Sequence, residues 1–136
     1  MTGTMDPLRS TRDFLYQVRD GDRRIRNLEK RIQLRQDALD LVGERWSDAD
    51  VTEKEIIALE HMIDRERADY AAAVVDVSDT ISCLEDDNQQ MVLTYRYIDM
   101  ISDWNLIADR MGMSKAAIQK LHGRALPKLK EILEKR

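Results

Sequence analysis

Six residues near the C-terminus carry the side chains best suited to binding chemistry. They are Ser114, Lys115, Ala116, Gln119, Lys120 and Arg124. Lysine and arginine can contact phosphate or guanine, glutamine can pair with the edge of adenine, and a serine hydroxyl at a helix N-terminus suits a phosphate. On a single helix their spacing places them on the outer face. The chemistry that they indicate is the recognition of double-stranded DNA.

A helix-turn-helix register would hold these residues in place. Ser102 can cap a first helix, Gly112 tolerates the positive φ of a sharp turn, and Ser114 can cap a second helix. Ala108 is small enough for the two helices to cross closely there. We predict a miniature core made of Leu106, Ile107, Met111, Ile118 and Leu121. The recognition helix is predicted at about residues 114–126.

Pro127 predicts an interruption after this helix. A proline in a helix interior loses the backbone hydrogen bond to the residue four before it, here Gly123. Proline is well tolerated at the start of a helix. We therefore expect a separate, short final helix from Lys128 to Leu133.

Charge is strongly segregated along the chain, although the total of 22 basic and 26 acidic residues gives a net charge of only −4. From Gln36 to Met91 there are 16 acidic and four basic residues, a net charge of −12. From Gly112 to Arg136 there are seven basic and two acidic residues, a net charge of +5. A basic end on an acidic chain indicates a localised anion-binding surface.

Apolar residues at seven-residue spacing predict two long helices before this segment. The first set is Val18, Ile25, Ile32 and Leu39, within a helix from about Leu8 to Val42, and the second is Ile56, Ile63, Tyr70, Val77 and Leu84. Gly21 lies on the first stripe between two aspartates, so the first helix either continues there or breaks and restarts at Asp22.

The connection between the two helices is predicted to be short and polar. Gly43 is a plausible C-cap, residues 46–50 are expected to form a loop, and Thr52 with Glu55 forms a capping box at the start of the second helix. Helices of similar length joined in this way fold back as an antiparallel, coiled-coil-like hairpin. We assign residues 1–84 to it, as a region for oligomerisation or protein interaction, and residues 85–136 to the DNA-binding domain.

Two helices alone cover little apolar surface, so we expect the hairpin to have a further partner; the alternative is a purely structural hairpin without one. The stripe on the second helix is widened by Leu59, Ala73, Val74 and Ile81. The apolar residues in excess of what two helices can cover are chiefly Tyr70, Val74, Val77 and Ile81. We expect either that this stripe packs against the C-terminal domain or that two chains form a homodimer through a four-helix bundle.

The composition excludes several classes of protein. With 35% charged and 5% aromatic residues in 136, the chain is predicted to be all-α and is too short for a large enzyme core. The sequence shows no catalytic constellation and no cofactor motif. We expect no metal site at His61, which has only flexible acids nearby, and we expect Cys83 to be a small buried residue. Residues 1–7 lack the apolar stretch of a signal peptide, and no apolar run suits a membrane span, so we expect a cytoplasmic protein.

Three segments of the C-terminal third resemble a known family. Residues 91–98, 107–114 and 121–129, the last reading Leu-His-Gly-Arg-Ala-Leu-Pro-Lys-Leu, are similar to region four of the sigma-70 family. Together with a helical hairpin before it, the Leu-His-Gly-Arg-Ala-Leu sequence looks more like the small phage-encoded ArpU-type regulators of late genes. The resemblance covers about residues 87–133. It implies promoter or operator DNA as the ligand and RNA polymerase as a further candidate partner.

The leading interpretation is therefore a sequence-specific transcription regulator encoded by a phage or prophage. Two alternatives come from other classes. A small terminase subunit also joins a helix-turn-helix to long helices, but it recognises a packaging site and assembles into a ring. The remaining alternative is a helical interaction protein that does not bind DNA.

Overall fold

The computed structural model describes residues 6–42 and 49–136. All the regular elements in these two ranges are helices: α1 at Arg9–Val42, α2 at Ala49–Ile81, α3 at Asp87–Leu93, α4 at Trp104–Met111 and α5 at Lys115–Glu134. A π-helical turn, Thr94–Ile98, follows α3 directly and is called the π-turn below. The prediction of an all-α chain, with a long hairpin followed by a helix-turn-helix, is confirmed.

The chain packs as two compact units. Unit 1 combines Met1–Arg19 with Ala73–Arg136, and unit 2 is Asp20–Ala72. By packing, the N-terminal end of α1 and the C-terminal end of α2 therefore belong with the C-terminal helices. The sequence suggests a different division, between residues 84 and 85, which separates a hairpin from a DNA-binding part by role. That division by role stays a prediction.

In unit 2, α1 and α2 run antiparallel. Arg35 bonds to Glu55 at 2.6 Å and Arg24 bonds to Glu66 at 3.0 Å. Residue numbers that fall along α1 therefore pair with residue numbers that rise along α2. Between these pairs lies a small core in which Leu28, Leu59 and Ile63 are buried and Ile32 packs against them. The ion pairs are exposed and add little stability, so burial of the apolar stripes is what holds the two helices together.

Gly21 does not interrupt α1, which settles the alternative left open by the sequence. A Cβ atom at this position would lie 3.2 Å from Cδ1 of Tyr70. The glycine therefore allows α2 to pack closely against α1, and the close approach of the Tyr70 ring explains why a residue of low helix propensity is found there.

The predicted start of α2 is wrong by one turn. The helix already includes Ala49 and Asp50, and Thr52 lies inside it with only 6% of its surface exposed. Thr52 is buried on the same side as Ile56, so its packing against the core outweighs its preference for a cap. The remaining expectations for the connection, Gly43 as a C-cap and a loop at residues 46–48, lie outside the described residues.

Unit 1 has its own core, which joins both ends of the hairpin to the C-terminal helices. Leu15, Val18, Val77 and Ile81 are at most 2% exposed. The guanidinium of Arg136 bonds to Asp76 at 2.6 Å and lies 5.4 Å from the ring centre of Phe14. The expectation that Val77 and Ile81 are covered is confirmed. Within this chain, other residues of unit 1 bury them.

Candidate nucleic-acid interface

Short local signals define the helix-turn-helix. The side chain of Asp103 accepts a hydrogen bond from the backbone N–H of Asn105 at 2.9 Å and so caps α4. At the other end Gly112 has a φ of 65°, and the N–H of Met113 donates to the carbonyl of Ala108 at 3.1 Å. These are the features of a Schellman cap, in which a left-handed glycine turns the chain. The predicted role of Gly112 is confirmed, whereas the cap on α4 is Asp103 and not Ser102.

Ser114 caps α5 as predicted. Its side-chain oxygen accepts from the N–H of Ala117 at 3.1 Å, which satisfies one of the free amides at the start of the helix. The hydroxyl hydrogen is not used by this bond. Ser114 can therefore cap the helix and still donate to an anion at the same end.

The core between α4 and α5 agrees with the prediction except at one position. Ile107 and Ile118 are fully buried and Ala108 is 4% exposed, while Met111 and Leu121 are half-buried. Leu106 is 41% exposed and does not belong to this core. Because successive helical residues differ by about 100° in direction, α4 can turn either Leu106 or Ile107 fully inward, and it turns Ile107.

The predicted break at Pro127 is wrong, since α5 is one helix from Lys115 to Glu134 with the proline inside it. Ala125 and Leu126 before the proline and Leu129 after it are at most 2% exposed. The packing of these side chains holds both segments in one continuous helix. Their burial outweighs the backbone hydrogen bond that Pro127 cannot make to Gly123.

All six predicted contact residues lie on the surface. Ser114, Lys115, Ala116, Gln119, Lys120 and Arg124 are each exposed. Lys115, Lys120 and Arg124 form no ion pair with any residue that the structure describes. The helix-turn-helix therefore brings the predicted set together on one exposed helix, with its cationic groups available.

One further cation on this surface was not among the predicted residues. Lys128 is exposed and follows Arg124 by four residues, as Arg124 follows Lys120. On a continuous helix this spacing places the three side chains on one side, so they form a basic row. The four-residue spacing is visible in the sequence, but the expected break at Pro127 concealed it.

The inner side of α5 carries an aromatic cluster that the sequence did not reveal. Nε2 of His122 lies 2.7 Å from the hydroxyl oxygen of Tyr97, and the two rings are stacked with centres 5.7 Å apart. Trp104 meets His122 edge-on at 5.0 Å. The ring of His122 is therefore turned inward to this cluster.

Burial governs the ionisation of this cluster. It is the main cause that lowers the pKa of His122 from 6.5 to about 4, and the charges of Arg96 and Arg12 lower it further. Burial, with a contribution from Tyr16, raises the pKa of Tyr97 to about 12. Both side chains are therefore neutral at pH 7, and His122 adds no positive charge to the surface of α5.

The π-turn and the segment after it connect the cluster to α4. The N–H of Asp99 donates to the carbonyl of Thr94 at 3.0 Å, and Met100 then adopts a φ of 57°, which is uncommon for a residue other than glycine. The guanidinium of Arg96 donates to the carbonyls of Ile101 and Ser102 and lies 4.2 Å from the ring centre of Trp104. Arg96 thus bridges the π-turn and the start of α4, and Trp104 is one of its contacts.

Other candidate features carry no site. Cys83 is exposed, contrary to the prediction, because α2 ends at Ile81 and Cys83 falls in the turn beyond it. Within the described ranges no three potential metal ligands come together. No helix in the same ranges has the length and apolar character needed to cross a membrane.

Comparison with protein families places the chain in a group defined by sequence. Residues 36–130 match the family DUF1492, described as a protein of unknown function. The chain belongs to the DUF1492 family. The matched segment contains the end of α1, the whole of α2, α3, the π-turn and α4, and α5 as far as Lys130, so it includes the whole exposed row on α5. No curated protein and no solved structure matched the chain.

Proposed function

We propose that this DUF1492 protein is a sequence-specific DNA-binding transcription regulator of phage or prophage type, located in the cytoplasm, rather than an enzyme. The observation that carries the proposal is the exposed face of α5. There the second helix of a helix-turn-helix presents Gln119 among the cations Lys115, Lys120 and Arg124, which are exposed and form no ion pair within residues 6–42 and 49–136. This is the arrangement with which such a helix contacts the major groove.

The residues divide by the contacts that they can make. Lys120 and Arg124 lie further along the helix and suit phosphate oxygens, which fix the position of a protein on the duplex. Gln119 is uncharged and exposed near the N-terminal end of α5, where residues of a recognition helix reach base edges. Ser114 suits a phosphate at the helix start. The proposal therefore assigns sequence reading chiefly to Gln119 and affinity to the cations.

A homodimer is part of the proposal. In unit 2, Leu34 is 69% exposed, Leu41 is 86% exposed and Ile57 is 53% exposed, so apolar surface is left uncovered by the chain itself. A second copy would cover such surface and would also bring two helix-turn-helix motifs to two half-sites on DNA. Light scattering of the intact protein is expected to give a dimer. A ring of eight or more chains would instead favour a small terminase subunit.

DNA binding is tested by fluorescence anisotropy with a labelled random duplex at low salt. The variant Lys115→Ala, Lys120→Ala, Arg124→Ala removes three cations from α5. Its control, Arg23→Ala, Lys30→Ala, Lys54→Ala, removes three exposed cations from α1 and α2. We expect the first variant to lose at least tenfold in affinity and the control to bind like the parent. If the parent does not bind, the chain is an interaction protein and the proposal is wrong.

RNA polymerase is proposed as a further partner only through the resemblance to sigma region four. The test is pull-down of purified polymerase by the full chain, with the Leu106→Asp variant as the comparison. Leu106 is the exposed apolar residue of α4, and its replacement leaves the buried core of the helix-turn-helix untouched. Binding that the variant reduces supports the partner, and the absence of binding to the parent removes it.

A further inference from the structure

Gly123 lies in the interior of α5, although neither its backbone conformation nor its packing requires glycine. The described glycine with a positive φ is Gly112, so Gly123 has a φ that any residue can adopt. A Cβ atom added at Gly123 would meet no atom within 4 Å other than those of its chain neighbours and the adjacent helix backbone. Glycine is one of the least favourable residues in a helix interior. The fold taken alone therefore favours alanine at this position.

The position of Gly123 on α5 suggests which part of a bound DNA duplex would approach it. Gly123 is exposed, and it lies three residues after Lys120, on the same side of the helix as Lys120 and Ala116. Seven residues separate it from Ala116, a rise of about 10 Å along the helix. The major groove is roughly 12 Å wide, so a helix whose first turn reads bases reaches the wall of the groove at about this distance.

We propose that Gly123 gives the sugar-phosphate backbone of one DNA strand room to lie directly against α5, between the phosphate contacts of Lys120 and Arg124. This inference rests on the proposed function, because it assumes that α5 enters the groove. The contact is with the DNA backbone, so it is independent of sequence. It also involves no charge on the protein, which separates it from the contacts of the neighbouring cations.

The test combines stability and binding for the full-length variants Gly123→Ala and Gly123→Leu. We expect Gly123→Ala to raise the melting temperature by a few degrees, because alanine is the better helix former and meets no atom of the protein. We expect the same variant to bind every duplex about tenfold more weakly and Gly123→Leu to bind more weakly still. The slope of affinity against salt stays that of the parent, because no charge changes. Ala68→Leu places the same leucine side chain at an exposed site on α2 and is expected to bind normally.

One alternative explanation lies within the protein. Pro127 follows Gly123 by four residues, and a proline ring clashes with the carbonyl of the residue at that distance. If glycine is needed to relieve that clash, Gly123→Ala will lower the melting temperature in the parent and raise it in a Pro127→Ala background. That result would overturn the inference.

The outcomes separate this inference from the proposed function. A parent that binds DNA, with Gly123→Ala and Gly123→Leu binding equally well, refutes the role of Gly123 and leaves the function standing. A parent that binds no duplex refutes the function first. A graded loss of affinity from Ala to Leu in proteins that remain folded supports both.

Discussion

The hydroxyl oxygen of Tyr97 lies 2.7 Å from Nε2 of His122, so a hydrogen bond connects the π-turn to the middle of α5. The same two rings are stacked, and Tyr16 of α1 meets Tyr97 edge-on at 5.6 Å. His122 therefore faces the core of unit 1, while its neighbours on either side of the chain, Leu121 and Gly123, lie on other sides of the helix. The contacts of this neutral histidine with Tyr97 therefore stabilise the position of α5, the helix that presents the cations.

This contact predicts a loss of stability in mild acid. The folded pKa of His122, about 4, lies below its ordinary value of 6.5. Between these values the unfolded chain binds a proton that the folded chain does not. Stability from this residue is thus complete above pH 6.5, falls as the pH approaches 4, and changes no further below that. The full difference between the two pKa values corresponds to roughly 3–4 kcal/mol in the free energy of unfolding, and solvent screening of the partly exposed ring reduces the expected fall to about 2–3 kcal/mol.

The measurement is urea denaturation from pH 4 to 7.5 for the parent and for His122→Gln. Glutamine can share a hydrogen bond with Tyr97 but does not titrate. Carboxylates contribute equally to both proteins, so the difference between the two curves isolates His122. Curves that stay parallel over the whole range would show that His122 titrates normally.

The shared core of unit 1 predicts that the end of α2 and the helix-turn-helix unfold together. Ile81 is 2% exposed, and Ile81→Ala should lower the free energy of unfolding by about 2–4 kcal/mol. In a Trp46→Phe background, Trp104 fluorescence reports the helix-turn-helix and circular dichroism reports all helices. We expect Ile81→Ala to shift the fluorescence transition to lower urea.

The control for this experiment is Val75→Ala on the same helix. Val75 is 58% exposed, so its replacement should change stability by no more than about 0.5 kcal/mol. If Ile81→Ala moves the dichroism transition and leaves the Trp104 transition in place, the helix-turn-helix folds independently of α2, and the single core of unit 1 is wrong.

The close approach of α2 at Gly21 predicts that a larger residue at this position destabilises the chain. Leucine there would force Tyr70 away from its present position, in which Cδ1 is 3.2 Å from the added Cβ. We expect Gly21→Leu to destabilise the chain by about 1–3 kcal/mol in thermal or urea denaturation. Tyr70→Ala should recover much of this loss in the double variant, because it removes the ring that clashes. Additive effects of the two substitutions would contradict the contact.

The sequence predicted those features of the fold that depend on neighbouring residues. The seven-residue spacing through Val18 and Ile25 defined α1, and Ser114 and Gly112 marked the turn correctly because capping uses only a few adjacent groups. Ser102 and Asp103 are both competent caps at adjacent positions, so local chemistry does not distinguish between them. The structure uses Asp103, whose side chain accepts from the N–H of Asn105.

Features that depend on distant packing were not predictable in the same way. Pro127 lies inside a helix because residues on both sides of it are buried, and this could not be known before the core was known. The same holds for His122, whose partners Tyr97 and Trp104 lie 25 and 18 residues away in sequence. The exposed face of α5 was predicted because it requires only the register of one helix.

The most direct test of the exposed face compares Lys120→Ala with Gln119→Ala on two duplexes across a salt series. One duplex is the preferred site, obtained by selection from a random library, and the other is random. Ile118→Asp is the control for loss of the fold, because a charge in this fully buried position should unfold the helix-turn-helix. We expect Lys120→Ala to weaken binding to both duplexes and to lower the salt slope by about one charge unit. We expect Gln119→Ala to lose about 1–3 kcal/mol on the preferred site and little on random DNA. If both folded alanine variants bind both duplexes as the parent does, this face of α5 does not contact DNA.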